Sequence, residues 1–297
     1  MLPNPQLKAD YDKVIWVYVY RDFSKSEADR AAERISMRFG VTSWPQLFLV
    51  DPSTMKILKH TGRKVESFQS AVAAAKVPQR MSLKHWESLK AAESRAVALE
   101  KKPTAKLATA GLDDTDIVVR TRSLEYLAAK KPAIVAKRAG ELLQVPNDPF
   151  RYAVCKVLQD AKSGDARKPL EALVSNPKDS LNPNVLRIRA VQALSTCGDA
   201  RSVDVIAPHA KSGAYFNGLT KISIDALAAI AERDKKARKP VDAVLREAYP
   251  NPPKDPSNER ELRACVSLAK HIHKRRGDKR PFPDVYDESA VTKLRSR

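Results

Sequence analysis

The sequence predicts a mainly α protein: an α-solenoid of paired helices, preceded by a small α/β half domain. Three observations predict it. A short apolar pattern ending in Leu recurs at intervals of 31, 36, 33 and 41 residues from Leu127 to Leu268. Repeats of that length mark stacked helix pairs, because one pair cannot bury its apolar stripe alone. Strand-length runs rich in β-branched and aromatic residues fall within the first 61 residues. The chain also has only 9 Gly in 297 residues, and Ala, Leu, Val, Lys and Arg dominate from about Ser82 onward.

Residues 1–78 read as strand, helix, strand, strand, helix. Residues 14–20 (VIWVYVY) are apolar on both faces, which predicts a central buried strand. A helix follows over residues 24–39, with Ser24 as N-cap and Glu27 three residues on as a capping box. Ala28, Ala31, Ala32, Ile35 and Phe39 form its apolar face, and Gly40 ends it. A turn through Trp44-Pro45 leads to strands over residues 46–50 and 55–61, then a helix over residues 66–75. An X-Pro bond before a buried strand is a place where a cis peptide can be held.

Phe39-Gly40-Val41, Trp44-Pro45, the run Leu47-Phe48-Leu49-Val50-Asp51 and Gly62 resemble the C-terminal part of the thioredoxin fold. The resemblance covers roughly residues 1–78. It implies a cis bond at Pro45 and a peptide-contact loop made of Thr42, Ser43, Trp44 and Pro45. The family's redox work needs a CxxC pair with a lowered thiol pKa, and no cysteine occurs before Cys155. Residues 1–12 resemble the tail of the helix that carries that pair, so the first strand and helix of the fold are missing. This implies a start codon placed too late, or an equivalent truncation. The alternative is a true half domain, with residues 14–20 left as an unpaired apolar edge.

A linking helix is expected within residues 79–102. The repeats follow over residues 103–275: RTRSLEYL from Arg120, RYAVCKVL from Arg151, RIRAVQAL from Arg187, TKISIDAL from Thr220 and ELRACVSL from Glu261. The fourth residue of each is small or β-branched and the eighth is Leu. Partner helices are expected over residues 133–143, 166–174, 200–210 and 237–248. Asp and Asn precede several helices and suit N-caps. The phrases Asp113-Asp114-x-Asp116-x-x-Val119-Arg120, Asn147-Asp148-Pro149-Phe150-Arg151 and Gly198-Asp199-Ala200-Arg201 resemble HEAT repeats. Arg120, Arg151 and Arg187 occupy equivalent positions, and the resemblance implies that each pairs with an Asp of a neighbouring repeat rather than contacting a ligand. Residues 276–297 are expected to be a flexible basic tail.

The net charge of +19 favours acidic partners: nucleic acid, anionic lipid headgroups or acidic protein faces. The basic runs at residues 233–239 and 270–280 also fit solvated helix surface, and few aromatics accompany them as stacking platforms. Cys155, Cys197 and Cys265 lie far apart in apolar helical patterns, which predicts buried free thiols rather than a disulfide framework or zinc site. His271 and His273 have the wrong spacing for a metal pair on one helix face. No triad, HExxH, P-loop or GxGxxG is present, so neither catalytic residue nor cofactor is expected. No apolar run approaches about 20 residues, so no membrane span is expected. Three functions follow. The first is a non-catalytic scaffold that binds a protein partner with an acidic surface. The second is a fragment of a thiol oxidoreductase whose CxxC lies upstream of Met1. The third is a basic solenoid that binds nucleic acid. A cytoplasmic location follows if Met1 is the true start, and export if a longer form carries a signal peptide.

Overall fold

The computed structural model describes residues 5–15, 17–20, 23–24, 26–41, 46–51, 54–61, 64–75, 83–211, 218–248 and 271. These residues are mainly helical, with thirteen α-helices and one two-stranded sheet among them. The chain divides into two compact units, Met1–Leu127 and Ala128–Arg297.

The first unit begins with a 3-10 helix, Pro5–Lys13. Helix α1 spans Glu27–Arg38. Strands β1 (Phe48–Asp51) and β2 (Lys56–His60) form an antiparallel hairpin, pairing Phe48 with His60 and Asp51 with Lys56. Asp51 closes the hairpin: its carbonyl accepts from Met55 N at 2.7 Å and its carboxylate from Thr54 Oγ1 at 2.8 Å. Helix α2 spans Val65–Ala74 and packs on the 3-10 helix. Leu7, Val65 and Phe68 make a small core there, with Val14, Leu47, Leu49 and Val72 against it. Helices α3 (Leu83–Lys101), α4 (Ala105–Gly111) and α5 (Ile117–Lys130) follow.

Three expectations for this unit are corrected. Residues 14–20 form no strand where they are described. Ile15, Val17, Tyr18 and Tyr20 are between 71% and 92% exposed. An apolar run becomes a buried strand only when neighbouring strands take up its backbone groups, and only Val14 reaches the small core. The cap of α1 is Ser26, whose hydroxyl accepts from Asp29 N at 3.1 Å. Ser24 sits two residues earlier and accepts from Ser26 N.

The buried face of α1 also differs from the expected one. It includes Asp29, Ala32, Arg34 and Ser36, while Ala28 and Ile35 face solvent. The reason is electrostatic. Arg34 is 3% exposed and bonds to Glu93 at 2.5 Å, Glu27 at 2.9 Å and Glu100 at 3.2 Å. Arg38 reaches Glu93 and Asp116, both at 2.9 Å. Arg122 reaches Glu33 at 2.7 Å and Glu100 at 2.8 Å. A buried guanidinium is tolerated only when its donors are taken up by carboxylates, and this network joins α1 to α3 and α5.

The second unit holds α6 (Pro132–Lys137), α7 (Ala139–Leu142), α8 (Asp148–Ala161), α9 (Arg167–Ser175), α10 (Pro183–Cys197), α11 (Val203–Lys211), α12 (Leu219–Arg233) and α13 (Arg238–Ala248). Three 3-10 turns, Gly164–Ala166, Ala200–Ser202 and Lys235–Ala237, lead from a long helix into the next short one. The recurring sequence pattern is the buried stripe of this unit. Val154, Ala190 and Ser223 are fully buried, as are Leu158, Leu194 and Leu227. Helix α10 packs on α8 and α12, α9 and α13 each pack on α11, and α7 on α9. Long helices thus stack on long ones and short on short. The fifth copy of the pattern, residues 261–268, lies outside the described residues.

The turns are stitched to one another. Asp199 caps its own turn through Arg201 N at 2.9 Å and approaches Arg167 of the previous turn at 3.5 Å. Asp234 repeats the device one pair later, accepting from Lys236 N and from Ala200 N, both at 2.9 Å.

Candidate interaction surface

The residues singled out in the sequence are spent on the fold. Arg151 is 2% exposed. Its guanidinium donates to the carbonyls of Lys178 at 2.7 Å and Asp179 at 2.9 Å, and lies 3.3 Å from Asp148. Asp148 completes the clamp by accepting from Ser180 Oγ, Leu181 N and Asn182 N at 2.9–3.1 Å. The first turn of α8 therefore grips the loop that leads into α10. Arg187 donates to the carbonyl of Val174 at 3.0 Å, and Arg120 to the carbonyl of Asp114. Equivalent arginines thus hold backbone carbonyls of loops and of the last turn of α9, where pairing with an Asp of a neighbouring repeat was expected. Thr42, Ser43, Trp44 and Pro45, with the bond preceding Pro45, lie outside the described residues.

Cys155 and Cys197 are buried free thiols. Burial pushes their pKa up, to about 12 and about 11. A thiol so raised is almost wholly protonated at neutral pH and is a poor nucleophile. Cys265 is outside the described residues. Among the described residues no cluster of His, Cys, Asp or Glu has the arrangement of a metal site. No helix among them is long and apolar enough to cross a membrane.

A shallow recess of about 270 Å³ lies between α8 and α10. Tyr152, Ala153, Lys156 and Gln159 line it from α8, and Arg189 and Gln192 from α10. Helical spacing brings Tyr152, Lys156 and Gln159 to one face at i, i+4 and i+7. Arg189 Nη1 donates to Gln192 Oε1 at 3.2 Å, and Lys156 pairs with Asp160 at 2.8 Å. The Tyr152 hydroxyl is buried and has no hydrogen-bond partner. Burial, then the charge of Asp148, pushes that phenol up to about 12, so it remains a donor at neutral pH.

Comparison with protein-family models, with curated proteins and with solved structures finds no match to this chain. The surface therefore has to be read from its own chemistry. Two amides and a guanidinium at the recess offer hydrogen-bond donors to a carboxylate, above the buried phenol and beside the Lys156–Asp160 pair. No acid–base pair or activated nucleophile faces them. Sequence reasoning missed these residues because they lie on the polar side of each repeat, where side chains vary freely without disturbing the buried stripe.

Proposed function

We propose that this chain is a non-catalytic scaffold. In this reading the second unit is a HEAT-like α-solenoid that binds an acidic segment of a protein partner in the α8–α10 recess. The first unit is a thioredoxin-like remnant without a redox pair that docks or stabilises. The observation that carries the proposal is the division of labour along the repeats. The equivalent Asp and Arg groups are committed to loops and turns, while the outward positions of α8 and α10 place polar side chains around Tyr152 that bond to residues of their own helix, Lys156 to Asp160 and Arg189 to Gln192. Partners of such surfaces gain most from a few buried contacts at the centre of the patch.

The test uses the full chain and a panel of labelled Asp- and Glu-rich peptides, followed by fluorescence anisotropy. The proposal expects micromolar binding of at least one peptide. Arg189→Glu should then weaken it about tenfold, equivalent to about 1.4 kcal/mol, and Tyr152→Phe should weaken it by a smaller factor. Absence of binding across the panel, or binding indifferent to Arg189→Glu, would overturn it.

A further inference from the structure

We infer that the turn edge of the second unit, whose lysines are not among the residues lining the α8–α10 recess, is a binding site for the phosphodiester backbone of a nucleic-acid duplex. The lysines of this unit fall into two groups. Those on helix faces are paired: Lys156 with Asp160, Lys221 with Asp225 and Lys211 with Glu247. Those on the turns from long to short helices, or on the helix ends beside them, are exposed and have no side-chain ion pair or hydrogen bond among the described residues: Lys130 and Lys131, Lys162 and Lys168, then Lys235, Lys236 and Lys239, with none at Ala200–Ser202. Only Lys137 and Lys178 are unpaired elsewhere on the described part of this unit.

The segregation follows from the architecture. The turns are neighbours in sequence order: α6 packs on Gly164–Ala166, Arg167 approaches Asp199, and Asp234 holds Ala200. Two of the three turn acids are already engaged, and the third, Asp165, is exposed between Lys162 and Lys168. Asp199 binds Arg167 and Arg201, and Asp234 accepts two backbone N–H groups. With helix pairs spaced by about 10 Å, four successive turns extend over about 30 Å. That is close to one turn of duplex, about 34 Å. Unpaired ammonium groups stand at the first, second and fourth of these turns, and a polyphosphate relieves their mutual repulsion while releasing its counterions. The lysines named carry no exposed aromatic or aliphatic anchor between them, the feature expected of a protein–protein hot spot.

The experiment measures binding of a labelled duplex of about 20 base pairs to the full chain across a salt series, with log Kd plotted against log salt. Neutralising Lys162, Lys168, Lys235, Lys236 and Lys239 together to Gln should reduce the slope by about 3–4 and weaken binding at least about tenfold at low salt. Lys137→Gln with Lys178→Gln should change affinity less than about twofold, since neither lies on the edge. Lys235→Gln with Lys236→Gln alone should lower the slope by about 1–2, and replaces the fivefold variant if circular dichroism shows that variant unfolded. Three results would overturn the inference: no duplex binding at low salt, binding unchanged by the edge variants, or equal competition by polyglutamate, which would give the edge to acidic proteins. Arg189→Glu should leave the salt slope within about 1 of wild type, so failure of the recess and failure of the edge are distinguishable.

Discussion

A Cβ atom placed on Gly111 would lie 2.1 Å from Ser123 Oγ and 3.4 Å from Val119 Cγ1. Glycine in a helix is ordinarily worse than alanine by about 0.8–1 kcal/mol, so Gly111→Ala would stabilise α4 if the space were open. The contact with α5 reverses the sign, and overpacking of this kind costs about 1–3 kcal/mol. Gly111→Ala should therefore lower the denaturant midpoint, whereas Ser123→Ala should be near neutral, because the buried Ser123 hydroxyl has no partner to lose. Asp148→Ala is the severe case. It strips three donors of their acceptor and leaves Arg151 buried beside them, with an expected loss of about 3–5 kcal/mol in chemical denaturation. The position of Arg151 was legible in the sequence as a recurring residue, but its partners were not. They are carbonyls of a loop whose path depends on Asp179 adopting a left-handed backbone, φ +53°, which no side-chain pattern announces.

At the scale of elements, α1 shows how a correct helix can present an unexpected face. Its boundaries follow from Ser26, the acidic first turn and Gly40, all local signals. Its orientation follows from carboxylates 55 to 78 residues away and from Arg122, 89 residues from Glu33, which periodicity does not contain. Residues 14–20 fail for the complementary reason: their composition states that they are apolar but not what covers them. The helices of the second unit were legible because each buries the same stripe, so pattern and packing agree. Two pH dependences belong to these elements. Arg34 holds Glu27 below its ordinary 4.5. Burial alone would raise Asp114, but its bonds to Arg95 and to Asp116 N keep it below 3.8. Carboxylates lowered in the fold are protonated first in the unfolded chain, so this stabilisation is present above about pH 4.5 and lost as the pH falls further. Limited proteolysis near α1 should accelerate below about pH 4. On α11, burial and then the charge of Arg187 lower His209 below 6.5. The unfolded chain again binds the proton first, so stability of the second unit should decline as the pH drops below 6.5, and His209→Gln should flatten that decline between about pH 6.5 and 5.

At the scale of the whole molecule, the account rests on helix pairs that contact only their neighbours. Stability in such an array is approximately a sum of pair terms and interface terms. Within the second unit, α10 packs against both long neighbours, α8 and α12, and against α9, and so should be the last to open. The exposed residues Ile15, Val17, Tyr18 and Tyr20 should never be protected. Amide hydrogen exchange followed by mass spectrometry tests this most directly. The account predicts the slowest exchange in α8, α10 and α12 around Leu158, Leu194 and Leu227, faster exchange in α13, and complete exchange of residues 15–20 within seconds. Rapid exchange throughout α8–α12, or strand-like protection of residues 15–20, would contradict it.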